Sequence, residues 1–194
     1  MRALLVSDIP SPYIWDYFDR ANFAGVECVL SCGDLPKEYL EFIVTMLNVP
    51  LLYVPGNHDK RFAASPPEGC EDMDGRLMTV CGVRVLGFGG CRSPRRDIHQ
   101  YPEKDMARRV NRLMPKIKRG GFDILLTHAP AFGLGDGKDL FHQGFECFRE
   151  LIERFEPRYH IFGHQHKNYS HEKPPEQVGA TRLFNATGHR VVEL

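Results

Sequence analysis

Seven side chains that could hold or move charge follow five short apolar runs. Asp8 follows Ala3–Val6, and Asp34 follows Cys28–Leu30. Asn57 and His58 follow Leu51–Val54, His128 follows Ile124–Leu126, and His164 and His166 follow Tyr159–Phe162. Apolar runs of this length suit strands buried on both faces. In open α/β sheets ligands collect beyond the carboxyl ends of the strands. The spacing therefore predicts that these residues meet at one edge of the fold. Carboxylate, amide oxygen and imidazole together suit Mn, Fe or Zn, and not a metal that prefers thiolates. In His164-Gln165-His166 the imidazoles are one residue apart, so they can reach two neighbouring points such as two cations. Gly33, Gly56 and Gly163 precede Asp34, Asn57 and His164. Lacking a Cβ, they allow close backbone approach.

The elements that must position these residues alternate in type. Pro36–Leu47 has Pro at a helix start and Leu40, Ile43, Val44 and Leu47 on one face. Pro102–Lys118 puts Met106, Val110 and Leu113 together, and Pro115 is expected to kink or end that helix. Gly144–Phe155 spaces Phe145, Phe148, Leu151, Ile152 and Phe155 as a core-facing helix. Thr79–Val80 and Val83–Leu86 flank Cys81-Gly82 as a hairpin. Thr181–Asn185 and Arg190–Leu194 look like strands with Gly188 in the turn between them. Strands alternating with helices predict an α/β layered fold.

The order Asp8, Gly33-Asp34, Gly56-Asn57-His58-Asp59, His128, Gly163-His164-Gln165-His166 resembles the calcineurin-like metallophosphoesterase superfamily. The resemblance runs from Asp8 to His166, most of the chain, and its strength lies in the combination of motifs. It implies a two-sheet β-sandwich flanked by helices, with residues 1–194 as a single metallophosphoesterase domain and two divalent metal ions at one edge. By resemblance Asp34 bridges the metals. Asn57, His128 and His164 complete one site, and Asp8 and His166 serve the other. His58 resembles the non-ligand histidine that protonates or stabilises the leaving oxygen. Asp59 is expected to support its neighbours or shape the turn.

One position departs from the pattern. Where the superfamily has Asp-x-His, this chain has Asp8-Ile9-Pro10, and proline cannot ligate a metal. Three outcomes stay open: water fills the gap, that site is weak, or His99 or His142 supplies the missing ligand.

The resemblance implies hydrolysis of a small phosphodiester or phosphomonoester by hydroxide generated at the metal pair. Two cations about 3.5–4 Å apart neutralise phosphate oxygens and lower the pKa of a bound water from ~15.7 towards ~7. General-acid help from His58 would add roughly a hundredfold to ten-thousandfold. The 25 basic and 25 acidic residues cancel, which disfavours a general nucleic-acid or membrane-surface binder. No run reaches the ~20 apolar residues of a membrane span. The first apolar run is too short for a signal peptide and meets Asp8 at once. The cysteines, without a C-x-x-C pair, read as reduced thiols, so a cytoplasmic location is expected. Arg92, Arg95 and Arg96 form a basic cluster suited to phosphate oxygens or to the bare surface. Gly133–Asp139 reads as a loop beside the metals or a solvated one. The competing function is a metal-poor scaffold of the same fold that binds a protein, which Pro10 alone favours.

Overall fold

The computed structural model describes residues 1–165 and 175–194, so His166 and His171 lie outside the described residues. Two large sheets carry the fold. The first contains β1 (Arg2–Ser7), β2 (Cys28–Ser31), β3 (Leu51–Tyr53), β4 (Glu71–Asp72) and β13 (Gly188–Glu193) in the order β13-β1-β2-β3-β4. The second contains β5 (Arg76–Val80), β6 (Val83–Phe88), β9 (Ile124–Thr127), β10 (Tyr159–Phe162), β11 (Gln177–Val178) and β12 (Thr181–Asn185) in the order β11-β12-β10-β9-β6-β5. A short pair, β7 (Cys91–Arg92) and β8 (Gln100–Tyr101), stands apart. Helix α1 (Pro12–Trp15) follows β1, and α2 (Lys37–Leu47), α3 (Glu103–Gly120) and α4 (Glu146–Phe155) cover the sheets.

The two-residue period of the strands sorts their side chains into layers. Ala3 and Leu5 of β1 point between the sheets, where they share a core with Val85, Ile124, Leu126, Ile161 and Phe184. Leu4 and Val6 point the other way, onto Tyr39, Leu40, Ile43 and Leu47 of α2. On the far side, Leu86, Leu125 and Phe162 meet Met106, Val110 and Ile117 of α3 and Phe148, Leu151 and Ile152 of α4. The expected sandwich flanked by helices is the observed architecture. Both faces of the central strands are buried, which is why their sequences are continuously apolar and not alternating. No helix among the described residues is long and apolar enough to cross a membrane.

Two local expectations are corrected. Helix α3 passes through Pro115 and ends only at Gly120, so of the two effects expected of that proline, a kink or an end, the end is the one overturned. Proline deprives the carbonyl four residues earlier of its partner, but Asn111 and Pro115 both lie on the exposed side, where solvent has access to that carbonyl. The strands flanking Gly188 are not a hairpin. β12 pairs parallel with β10, and β13 pairs antiparallel with β1 in the other sheet. Residues 186–187 carry the chain across. A hairpin and a crossing share one local signal, strand–glycine–strand, and only the sheet each strand joins separates them. The Cys81-Gly82 hairpin forms as expected, with both turn residues at positive φ (50° and 77°), the twist two-residue hairpins need.

Candidate metal centre

The ends of β1, β2, β3, β9 and β10 deliver the candidate residues to one edge shared by both sheets. Asp34, His128 and His164 each place a donor atom within 4.8 Å of the others. His128 Nε2 lies 2.9 Å from Asn57 Oδ1, 3.1 Å from His164 Nδ1 and 3.4 Å from Asp34 Oδ2. His128 is fully buried, and His164 is 6% exposed.

The opposite side of each ring fixes what faces inward. His128 Nδ1 donates to the Cys32 carbonyl at 2.6 Å, and His164 Nε2 donates to the Phe141 carbonyl at 2.8 Å. A neutral imidazole carries one proton. With that proton turned to a carbonyl, His128 Nε2 and His164 Nδ1 both present lone pairs to the centre. Anchoring a ligand histidine by its other N–H is the usual support of a metal site. Two imidazole lone pairs, an amide oxygen and a carboxylate oxygen thus converge with no donor of their own. Such a cluster needs a proton or a cation in its midst.

Electrostatics make the same point. Burial opposes charge on Asp34, but His128 outweighs it and holds the carboxyl down at about 2. Burial likewise opposes charge on His128, yet Asp34, with help from Asp8, holds it up at about 9. His164 is pushed down to about 3 by burial and by the charge on His128. Protein alone therefore keeps one proton among these donors, where a cation would otherwise sit.

The loops that hold the donors are tightly built. Asp8, Asp34 and His164 have φ of 63°, 56° and 66°, a left-handed region costly for side-chain-bearing residues. A Cβ on Gly33 would run into the Gly56 backbone, and one on Gly56 into the Asp34 side chain. Asp59 Oδ2 accepts from the backbone N–H of Asp34 and of Gly56, both at 2.8 Å. It ties the two ligand loops together, in line with the supporting role expected for it.

Asp8 stands beside this group but not in it. Its carboxylate accepts from the His164 backbone N–H at 3.0–3.1 Å and from the Thr187 hydroxyl at 3.2 Å. The two histidines named as substitutes for a ligand at position 10 stand outside the group of three. His142 stacks on His164 with ring centroids 5.1 Å apart, and its Nδ1 is 2.7 Å from Asp139 Oδ2. His99 lines a separate cavity. Neither contributes a donor atom to the group of three. His58 is exposed; its backbone N–H donates to Asp34 Oδ1 at 2.8 Å, and its side chain borders a cavity of about 680 Å³. Asp34, Lys37, Asp59, Arg61 and Phe62 border the same cavity.

Other sequence candidates are spoken for. Arg96 pairs with Asp105, and Arg92 donates to the Gly144 carbonyl and lies near Glu103 and Glu146. The residues just after the glycine-rich loop, Phe141 and His142, border the centre, and Gly137 and Asp139 of the loop hold His142. Asp136 accepts from Gly133 and Gly144 backbone N–H groups and closes that loop. The sequence does not announce the Cys32 and Phe141 carbonyls or the Thr187 hydroxyl. Every residue has a carbonyl, so no residue type marks such an anchor, and Thr187 sits in what locally resembles a hairpin turn.

Comparison with known proteins agrees with this geometry. UPF0046 protein T07D4.2 of Caenorhabditis elegans is 39% identical over 54 residues, 25% of this chain and 13% of that protein. UPF0046 protein K07C11.7 of the same organism is 26% identical over 154 residues, 69% of this chain and 52% of that protein. The chain thus spans about half of one curated relative and less of the other. In fold it is similar to TT1561 of Thermus thermophilus, with a TM-score of 0.67 at 19% identity over 96% of this chain and 89% of that one. The sequence profile described as calcineurin-like phosphoesterase matches residues 1–168, a stretch that carries every candidate ligand. The convergent donors, the paired sheets and that match lead to one conclusion: this chain belongs to the calcineurin-like phosphoesterase family.

Proposed function

We propose that this protein hydrolyses a small phosphate ester, a phosphodiester or phosphomonoester, with two divalent cations of the Mn, Fe or Zn type. The observation that carries the reading is the inward convergence of His128 Nε2, His164 Nδ1, Asn57 Oδ1 and Asp34 Oδ2. These four would hold one cation. Asp34, with Asp8 and His166, would serve the second, which has one protein ligand fewer because position 10 is proline. When bound, the cations would neutralise phosphate oxygens and supply a hydroxide equivalent at neutral pH.

The chain's own residues do the rest. Asp34 keeps one oxygen on the His58 backbone N–H and presents the other toward His128. His58 stands at the mouth of the cavity, placed to give a proton or hydrogen bond to the departing oxygen. Lys37 and Arg61 line the same cavity and offer positive charge to an anionic substrate. The covered walls around His128 and His164 exclude water from the ligand side, which strengthens every charge interaction there.

The test combines metal analysis of the purified protein with turnover of an aryl phosphodiester at saturating manganese. Turnover that drops at least a hundredfold on His58→Ala, with metal content unchanged, supports the reading. Saturated metal sites with no turnover, and no response to that substitution, would favour a scaffold that binds a protein partner.

A further inference from the structure

Asp8 is held from two sides. Its backbone N–H donates to the Gly33 carbonyl at 3.0 Å, which ties it to the loop of Asp34. Its carboxylate accepts from the His164 backbone N–H at 3.0–3.1 Å, which ties it to the tip of β10. A Cβ on Gly163 would lie 2.7 Å from Asp8 Oδ2, so glycine lets that tip close on the carboxylate. Asp8 thus stands between the loops that carry Asp34 and His164. That is the place for a ligand of a second cation beside the first, and a carboxylate is a donor that Mn, Fe or Zn accepts.

A further contact comes from the other end of the chain. An isolated parallel bridge sets Thr187 beside Ser7, the residue before Asp8. The Thr187 hydroxyl has a single proton and two acceptors in reach, Asp8 Oδ2 at 3.2 Å and the Gln165 carbonyl at 3.3 Å. Asn185 decides between them. Its Oδ1 accepts from the Thr187 backbone N–H at 2.9 Å, which turns its Nδ2 to the Gln165 carbonyl, also at 2.9 Å. With that carbonyl served, the hydroxyl proton goes to the charged acceptor, the stronger bond. Donors from two separate segments then fix how the Asp8 carboxylate is turned. Carboxylates that ligate metals are themselves hydrogen-bonded, and that support sets their aim. It matters most where protein ligands are few, and position 10 is proline here.

Resting on the two-cation reading above, we infer that Thr187 and Asn185 are positioning residues for the second cation: Thr187 aims the Asp8 carboxylate, and Asn185 keeps Thr187 turned toward it. Neither touches the substrate or the reacting atoms. The first cation, assigned to Asp34, Asn57, His128 and His164, does not depend on them.

Manganese titration of protein stripped of metal tests this without reference to turnover. The wild-type chain should take up two ions in two steps. The filled pair should give the exchange-coupled electron paramagnetic resonance signal of neighbouring manganese ions. Thr187→Val keeps the shape of the side chain and removes its hydroxyl proton. It should weaken the second step about tenfold to a hundredfold and leave the first as it was. It should also lose the coupled signal at manganese concentrations that fill the wild type. Thr187→Ser returns a hydroxyl and should restore both. Asn185→Ala should act as Thr187→Val does. The double variant should lose no more than either alone, because the two residues act through one bond. Two tight steps in Thr187→Val, or equal weakening of both steps, overturns the inference, as does a serine variant that behaves like valine. A wild type that binds one ion only ends the two-cation reading and this role with it. Two ions with the expected responses, but no turnover of the aryl phosphodiester, leave the role standing and remove the hydrolytic reading.

Discussion

His128 and Asp34 are a pair that a cation should split. Without metal, Asp34 keeps His128 protonated up to about 9. A metal must displace that proton, so binding releases one proton at pH 7. Affinity should fall about tenfold for each pH unit below 9 from this residue alone. Titration calorimetry in buffers of different ionisation enthalpy reads the proton directly, and a buffer-independent heat would contradict the assignment. Gly33 gives a second residue-scale prediction. Its φ is 92°, and a Cβ there would meet the Gly56 backbone. Gly33→Ala should cost on the order of 1–3 kcal/mol and also weaken metal binding, because Asp34 and Asn57 ride on those two glycines. Chemical denaturation and metal titration of the variant check both. The four side chains that converge, Asp34, Asn57, His128 and His164, were legible in the sequence because side-chain chemistry is written there. The orientation of the two rings was not, since it depends on carbonyls at Cys32 and Phe141 that are distant in the chain.

Elements were legible where burial is two-sided and the apolar run is continuous, as in β1, β2, β3, β9 and β10. Helices α2, α3 and α4 were legible from their apolar faces to within about two residues. Pro115 departs from expectation because its effect depends on where the orphaned carbonyl points, which a periodicity does not report. Replacing it tests that account. Pro115→Ala restores a donor to the Asn111 carbonyl and removes the ring from an exposed turn. It should raise stability by about 1 kcal/mol, a few degrees in Tm, with no change in turnover. Destabilisation would show that the proline is a needed part of the helix.

The whole molecule carries one prediction about acid. His160 is fully buried under the second sheet, with Nε2 3.0 Å from the Thr127 hydroxyl and Nδ1 unpaired among the described residues. Thr127 donates to the Ala129 carbonyl, so it accepts from His160. Burial pushes His160 down to about 3 from 6.5. The folded state therefore keeps it neutral while the unfolded chain binds a proton. Its contribution is full above 6.5 and is lost as pH falls below that, at about 1.4 kcal/mol per pH unit, until about 3 is reached. In metal-free protein, His160→Gln should flatten stability against pH in that window, as followed by urea unfolding at several pH values. An unchanged slope would place the acid sensitivity elsewhere. Sequence alone determined which donors exist and that apolar strands deliver them, because hydrophobic period and residue chemistry are local properties. Tertiary structure alone decided that β12 and β13 join different sheets, that Thr187 thereby reaches Asp8, and that His99 ends beside another cavity and outside the group of Asp34, His128 and His164. Those outcomes depend on contacts between residues far apart in the chain, where no local pattern records which surfaces will meet.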